Sequence, residues 1–244
     1  MKKLKSGEDA FGQAFLATHK GAEVEGIVER DDGFIDSQST KGYFASYEAW
    51  SPIEQKAMEF VRGRVLDIGC GAGRHSLYLQ SKGFNVLGID NSPLAIKVCK
   101  LRGVKKAKVM PLEGVNFKPN TFETILMMGN NFGLVGNPKK AKRLLKKFHR
   151  MTSKDAVIIA STNDPYKTDN PVHLQYHRMN KRKGRMGGQV RIRVRYLQYK
   201  SRWLDLLMVS KEEMKQILSD TGWKVQEFLD TGTSYYTAII KKAT

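Results

Sequence analysis

Val65-Leu66-Asp67-Ile68 runs directly into Gly69-Cys70-Gly71-Ala72-Gly73, three glycines spaced two apart. No other stretch constrains the fold of this chain as much. An apolar strand carrying one acidic residue empties into a loop whose glycines permit tight turning and close approach of backbone to a ligand. The next apolar run, Val86-Leu87-Gly88-Ile89, ends on Asp90, seventeen residues past Gly73. A carboxylate at such a strand tip is placed to accept hydrogen bonds from ribose hydroxyls. The pattern predicts a strand–turn–helix nucleoside pocket. It does not fit the dinucleotide fingerprint Gly-x-Gly-x-x-Gly, because the third glycine position counted from Gly69 is Arg74.

Asp67-x-Gly69-x-Gly71-x-Gly73, followed by Arg74-His75-Ser76-Leu77-Tyr78-Leu79, resembles motif I of the class I S-adenosylmethionine-dependent methyltransferases. Asp67 and Asp90 match that family's two acidic positions. The resemblance implies an α/β fold with a doubly wound, seven-stranded, mostly parallel Rossmann-like sheet. It also implies S-adenosyl-L-methionine as cofactor, its methionine part over the glycine loop and its ribose on the second acid. The implied cofactor set is Asp67, Gly69, Cys70, Gly71, Gly73, Asp90 and the adjoining Asn91. The family usually carries an acid just after the third strand, near the adenine amino group. Here Met110-Pro111-Leu112-Glu113-Gly114 puts Pro111 at that position and displaces the acid. Leu112 and Glu113 join the set on this ground, with a solvent-facing turn as the competing reading of Glu113.

With 244 residues and 41% hydrophobic content, the chain suits one α/β domain, or a domain with a small lid. No apolar run approaches the roughly 18 residues of a membrane span. Met1-Lys2-Lys3-Leu4-Lys5 is basic, but no apolar signal segment follows it. Two cysteines, Cys70 and Cys99, are too few for a disulfide framework or a metal site and read as reduced space-fillers, which suggests a cytoplasmic protein. The net charge of +18 is unevenly placed: residues 1–60 hold 7 Lys and Arg against 11 Asp and Glu, a net of −4, leaving +22 for residues 61–244. Lys139 to Arg150 contains seven basic residues and no acid, and Arg178 to Arg202 ten and no acid. Such a field favours anionic partners, although a lysine-rich helix face is commonly just solvated.

Residues 1–60 are expected to form an N-terminal helical and aromatic extension or lid, with a helix from about Glu8 to His19 and another from Pro52 to about Val61 behind the cap Ser51. The methyltransferase-like domain then occupies residues 61–244. Strands are expected at Val65–Ile68, Asn85–Ile89, Ala107–Met110, Phe122–Met128 and Ala156–Ala160. Helices fall between them at Gly73–Lys82, Pro93–Arg102 (cap Ser92) and Pro138–Thr152 (cap Asn137). A capping box at Ser210 opens a helix to about Asp220, and strands Lys224–Leu229 and Tyr235–Lys241 close the chain. That ending resembles the end of the family's sheet, whose last strand is antiparallel. Between them, Val190 to Arg195 alternates Val190, Ile192 and Val194 on one face with three arginines on the other, the period of a β-strand. Trp203–Val209 is expected to pair with it, making residues 161–203 a β-ribbon insertion that covers the substrate.

Met128-Gly129-Asn130-Asn131 follows the fourth strand, at the carboxyl edge where α/β ligands bind, so Gly129 and Asn130 are candidate cofactor residues and Asn131 a candidate substrate residue. A capped turn is the competing reading, since asparagine and glycine favour turns. Asn163-Asp164-Pro165-Tyr166 resembles the Asn/Asp-Pro-Pro-Tyr motif of amino-group methyltransferases but follows the fifth strand rather than the fourth and has one proline, so no base-binding role carries over. Asp164 and Tyr166 are still candidates for the substrate side, as are Tyr43 and Tyr47 of the extension. Glu29, Asp31 and Asp32 are candidates for a general base or a cation clamp, with solvation as the default. His173 and His177 are one helical turn apart, but with no third ligand a zinc site is not expected. No catalytic residue is assigned.

Methyl transfer from a sulfonium asks for alignment more than for acid–base machinery, which is why the cofactor is legible and the acceptor is not. Three functions stay open: a methyltransferase acting on a small molecule, acidic if the arginine face clamps it; an RNA or DNA methyltransferase whose basic clusters contact phosphate; and a non-catalytic cofactor-binding protein. The first ranks ahead because no aromatic platform alternates with the arginines.

Overall fold

The structure, a computed structural model, describes residues 4–243, so the first three residues of the basic start lie outside them. Two compact units are distinguished. The first comprises Met1–Trp50, Gly63–Val115 and Ile192–Leu204; the second comprises Ser51–Arg62, Asn116–Arg191 and Asp205–Thr244.

Helix α1 (Ala10–His19) begins later than the expected Glu8 because the Asp9 carboxylate is its cap, accepting from the Gly12 amide at 3.1 Å. A hairpin follows, β1 (Glu25–Arg30) and β2 (Ile35–Ser39), with two 3₁₀ turns at Lys41–Phe44 and Tyr47–Ala49. Helix α2 (Pro52–Met58) stops short of Val61, its last turn tightening into i→i+3 bonds such as Val61 N to Met58 O. Next come β3 (Arg64–Ile68), α3 (Arg74–Ser81), β4 (Asn85–Asp90), α4 (Pro93–Leu101) and β5 (Ala107–Val109). β6 (Phe122–Met127), α5 (Pro138–Met151), β7 (Thr152–Asn163) and α6 (Pro171–Arg182) precede the strands β8 (Gln189–Tyr196), β9 (Tyr199–Lys200) and β10 (Leu204–Leu207). Helix α7 (Lys211–Leu218) and strands β11 (Trp223–Asp230) and β12 (Tyr235–Lys242) complete the chain.

The caps behave as their chemistry requires. Ser51, Ser92 and Asn137 accept from the amides of Glu54, Ala95 and Lys140, and Ser210 with Glu213 makes a reciprocal capping box. α7 ends at Leu218, before the expected Asp220, because Ser219 turns extended and Asp220 is left-handed.

One seven-stranded sheet has the order β11-β12-β7-β6-β3-β4-β5. Strands β3, β4 and β5 run parallel, as do β6 and β7, and β12 is antiparallel to both β7 and β11. This is the doubly wound, mostly parallel α/β fold the sequence pattern predicts. β7 outgrows the expected Ala156–Ala160 because Thr152 still pairs with β6 and Ser161 to Asn163 pair with β12. Ala156 to Ala160 is wholly buried, as a strand covered on both faces must be. On α5 the buried Ala141, Leu144, Leu145, Phe148 and Met151 form one stripe, and Lys139, Lys140, Arg143, Lys146 and Arg150 are exposed.

The second sheet has the order β10-β8-β1-β2, with β9 on β8. Here the structure adds what the sequence reading lacked. The arginine-faced strand neighbours β10, as expected of Trp203–Val209, but its other edge is filled by β1 from the N-terminal extension, in antiparallel register with Val28 opposite Val194. Helix α6, within the insertion, was also not anticipated. Among the described residues, no helix is long and apolar enough to cross a membrane, and no group of three His, Cys, Asp or Glu is placed to hold a metal ion.

Candidate cofactor site

Within the first unit, β3 delivers Asp67 to the interior and then turns sharply. Gly69, Gly71 and Gly73 all adopt positive φ, which only glycine does without strain. The Gly69 and Cys70 amides donate to Ile89 O at 2.8 and 3.1 Å, tying the loop to the end of β4. At Gly73 a Cβ would also meet Val104 and Cys99 below 3 Å, so strand, loop and helix pack too closely for any side chain there.

Asp67 is buried and accepts from Ser76 Oγ at 2.6 Å. Burial raises its pKa, opposed by the His75 charge and the Ser76 hydroxyl. Asp90 at the tip of β4 accepts from the Gly71 amide at 3.1 Å and the Ser92 amide at 2.9 Å. Burial pushes its pKa up to about 6, despite both amides. A carboxylate held by backbone amides beside an open-φ loop keeps lone pairs for ribose hydroxyls, so this unit fits the cofactor its motif implies. The adjoining Asn91 accepts the Leu4 amide through its carbonyl oxygen. Leu112 is buried and Glu113 exposed on a 3₁₀ turn after β5. Cys70 and Cys99 are free thiols 3.8 Å apart, with Cys99 Sγ donating to Gly71 O at 3.1 Å.

The extension packs on this same loop. Built from the Gly71 backbone, a Cβ would touch the Phe15 and Tyr43 rings at 3.6 Å. The Tyr43 hydroxyl accepts from Gln38 Nε2 at 2.9 Å, and burial raises its pKa. Tyr47 stacks flat on Tyr78 with centroids 4.3 Å apart. Two arginines that the sequence reading passed over join the parts. Arg102, just past α4, donates to Ala72 O at 2.6 Å and also to Tyr43 O and Phe44 O, and Arg74 donates to Gly42 O at 2.9 Å. Nothing local in the sequence marks them, since their acceptors lie 30 to 59 positions away.

In the second unit, Gly129 and Asn130 follow β6 in left-handed backbone, which asparagine tolerates better than most residues. The Asn130 amide donates to Ser161 Oγ at 3.1 Å. Its Oδ1 is buried without a hydrogen-bond donor, an acceptor suited to a ligand N–H. Asn131 opens the 3₁₀ turn Asn131–Val135. Asp164 accepts from the Tyr166 amide at 3.0 Å, and the Tyr166 hydroxyl donates to Glu213 at 2.5 Å; burial first, then that carboxylate, raise the Tyr166 pKa. Asp164 thus has a turn-building partner, and Tyr166 a partner in the first turn of α7. His173 and His177 lie on α6. Of the acidic candidates in the extension, Glu29 is bound bidentately by Arg193 and Asp32 by Arg30, and these hydrogen bonds hold both carboxylates below their usual range.

A family profile described as "Methyltransferase domain" matches residues 65–155. A SAM-dependent methyltransferase from Bacteroides fragilis, solved in complex with S-adenosyl-L-homocysteine, superposes with a TM-score of 0.85 at 26% identity, covering 100% of this chain and 98% of that one. The 23S rRNA (uracil(747)-C(5))-methyltransferase of Pyrococcus abyssi (strain GE5 / Orsay) is 33% identical over 138 residues, 56% of this chain and 31% of that protein. The glycine/sarcosine N-methyltransferase of Halorhodospira halochloris is 25% identical over 145 residues, 56% of this chain and 51% of that protein. The chain therefore spans about a third to a half of the length of these two curated relatives. Motif, sheet order and these likenesses agree in supporting a class I S-adenosylmethionine-dependent methyltransferase, a family that uses S-adenosyl-L-methionine.

Proposed function

We propose that the chain transfers the methyl group of S-adenosylmethionine to a small-molecule acceptor by in-line displacement. On this reading Asp67, Gly69, Cys70, Gly71, Gly73, Asp90, Asn91, Leu112, Glu113, Gly129 and Asn130 hold the cofactor. Tyr43, Tyr47, Asn131, Asp164 and Tyr166 serve the acceptor side, residues 1–60 act as lid and residues 161–203 as cover. Bound there, the sulfonium supplies an already activated methyl group. The protein's task is alignment and exclusion of water, and a base is required only where the acceptor must lose a proton. A cytoplasmic location goes with this reading, both cysteines being free thiols.

The observation that favours a small acceptor is what the arginines of the insertion do. Arg193 is spent on Glu29 and on the Trp203 ring 4.5 Å away, Arg195 on Glu29, Arg191 on Asp205 and Arg202 on Glu8. A strand whose cations already face carboxylates offers little to a phosphate backbone. An acidic acceptor would have to compete with Glu29. The RNA or DNA reading draws instead on the exposed cations of α5 and of the end of α6, Arg178, Lys181 and Arg182. Incubation with methyl-labelled S-adenosylmethionine and a cell extract, fractionated into small molecules, RNA, DNA and protein, tests the two. Label among small molecules is expected; label in RNA or DNA would overturn the proposal. Cofactor binding without label anywhere would make the chain a binding protein.

A further inference from the structure

The glycine loop has two faces to satisfy, and one of them is built by a segment outside the motif. The 3₁₀ turn Lys41–Phe44 comes from the hairpin end of the extension, and its Tyr43 ring lies where any side chain on Gly71 would touch it. Tyr43 is fixed from several directions. Its hydroxyl accepts from Gln38, its ring packs 4.9 Å from Phe15 and 5.9 Å from Phe11, and its carbonyl accepts from Arg102 at 3.4 Å.

Two guanidinium groups bracket this turn. Arg102 donates through Nη1 to the loop carbonyl of Ala72 and to Tyr43 O, and through Nη2 to Phe44 O, with its carbon 4.7 Å over the Phe44 ring. Arg74, the first residue of α3, donates to Gly42 O and lies 5.5 Å over the Trp50 ring. One cation therefore grips loop and turn together, and the other reaches from the helix that the loop feeds into the same turn. Arg102 is half-buried, and withdrawing a guanidinium from water is repaid only by several well-placed acceptors. A lysine presents a single point of charge and cannot span three carbonyls in the same way.

We propose that Arg102 and Arg74 are positioning residues: they clamp the Lys41–Phe44 turn onto the glycine loop, and the affinity of the site for its cofactor depends on that clamp. The inference rests on the cofactor reading of the first unit. It assigns the extension a fixed role as a wall of the cofactor loop, separate from any role toward the acceptor. Release of the clamp lets the turn and the Tyr43 ring leave the loop without unfolding the sheet beneath.

Titration calorimetry with S-adenosyl-L-homocysteine, on the full chain and its Arg102→Met, Arg102→Lys and Arg74→Met variants, provides the test. It is paired with hydrogen exchange over residues 40–46 and with thermal melting. Arg102→Met is expected to weaken binding about tenfold, the loss expected of charge-assisted hydrogen bonds. Arg102→Lys should recover only a small part of that loss. Arg74→Met should weaken binding less, and the double variant should fall short of the product of the singles because both residues hold one turn. Exchange over residues 40–46 should quicken in each while the melting temperature stays nearly constant. In turnover, KM for S-adenosylmethionine should rise more than kcat falls. Unchanged affinity in Arg102→Met alongside a tightly binding wild type would overturn the clamp alone. Full rescue by lysine would also overturn it, as would a loss of affinity matched by a proportional loss of melting temperature. A wild type that binds no S-adenosyl-L-homocysteine would overturn the cofactor reading, and the clamp with it.

Discussion

Asp90 concentrates the chemistry of the first unit in one carboxyl. Its folded-state pKa of about 6 stands above the ordinary 3.8, with burial as the main cause. Between about pH 4 and 6 the folded chain therefore holds a proton that the unfolded chain has released, so this group's contribution to stability is present in acid and lost as pH rises through 6. On the proposed cofactor reading, binding has the opposite slope, because ribose hydroxyls would donate to the ionised carboxylate. Affinity for S-adenosyl-L-homocysteine should be about tenfold weaker at pH 5 than at pH 7 and level above that. Calorimetry across this range checks it, and Asp90→Asn should bind more weakly with a flattened profile. Asp67, the three glycines and Asp90 were legible in the sequence because a strand–turn–helix is local and its glycine requirement is written at fixed spacing. Arg74 and Arg102 were not, since a surface arginine and a clamping one have the same local signature. Their partners are backbone carbonyls that any residue supplies.

Helix ends show the same division one level up. Serine and asparagine caps at Ser51, Ser92, Asn137 and Ser210 could be read directly, because a cap acts on amides two or three residues ahead. The hairpin of β1 and β2 was hidden: Glu25 to Arg30 carries glycine and charges in place of clean alternation, and every residue of β2 is exposed. The Asp-Gly of the connecting turn at Asp32-Gly33 was the signal available. For α6 it was the cap Asn170 before Pro171. Asp9 is a cap of greater reach than the sequence conveys. One oxygen accepts from Gly12 at the start of α1 and the other from Leu94 in the first turn of α4, and the residue is buried. Asp9→Ala removes both bonds at once and should cost about 2 kcal/mol, near the upper end for a single cap. Urea denaturation measures this, with Asp9→Asn retaining one of the two acceptors and losing less.

On the scale of the whole chain, alternation, caps and glycine spacing carried the parallel sheet, whereas the second sheet depends on strands far apart in sequence. β1 and β8 meet through Glu29 opposite Arg193, which are 164 positions apart, and no local pattern announces that the arginine face will find its counter-ions in the acidic extension. The pairing changes how the excess positive charge is to be understood. Residues 1–60 carry −4 and the rest of the chain +22, but part of that imbalance is matched where Glu29 pairs with Arg193 and Arg195 in the second sheet and Glu8 with Arg202 outside its strands. Among the exposed cations, those of α5 and the end of α6 are clustered on one helix face or helix end with no acid among them. Retention on a polyanion matrix such as heparin should therefore follow helix residues and not strand residues. Replacing Lys139, Arg143, Lys146 and Arg150 by glutamine should move elution to clearly lower salt, because each lost contact reduces counterion release. Arg193→Gln removes the same unit of charge but one already matched by Glu29, so elution should shift little while the melting temperature falls. A large elution shift for Arg193→Gln would mean that the strand exchanges Glu29 for external anions, and the case for a small acceptor would weaken accordingly.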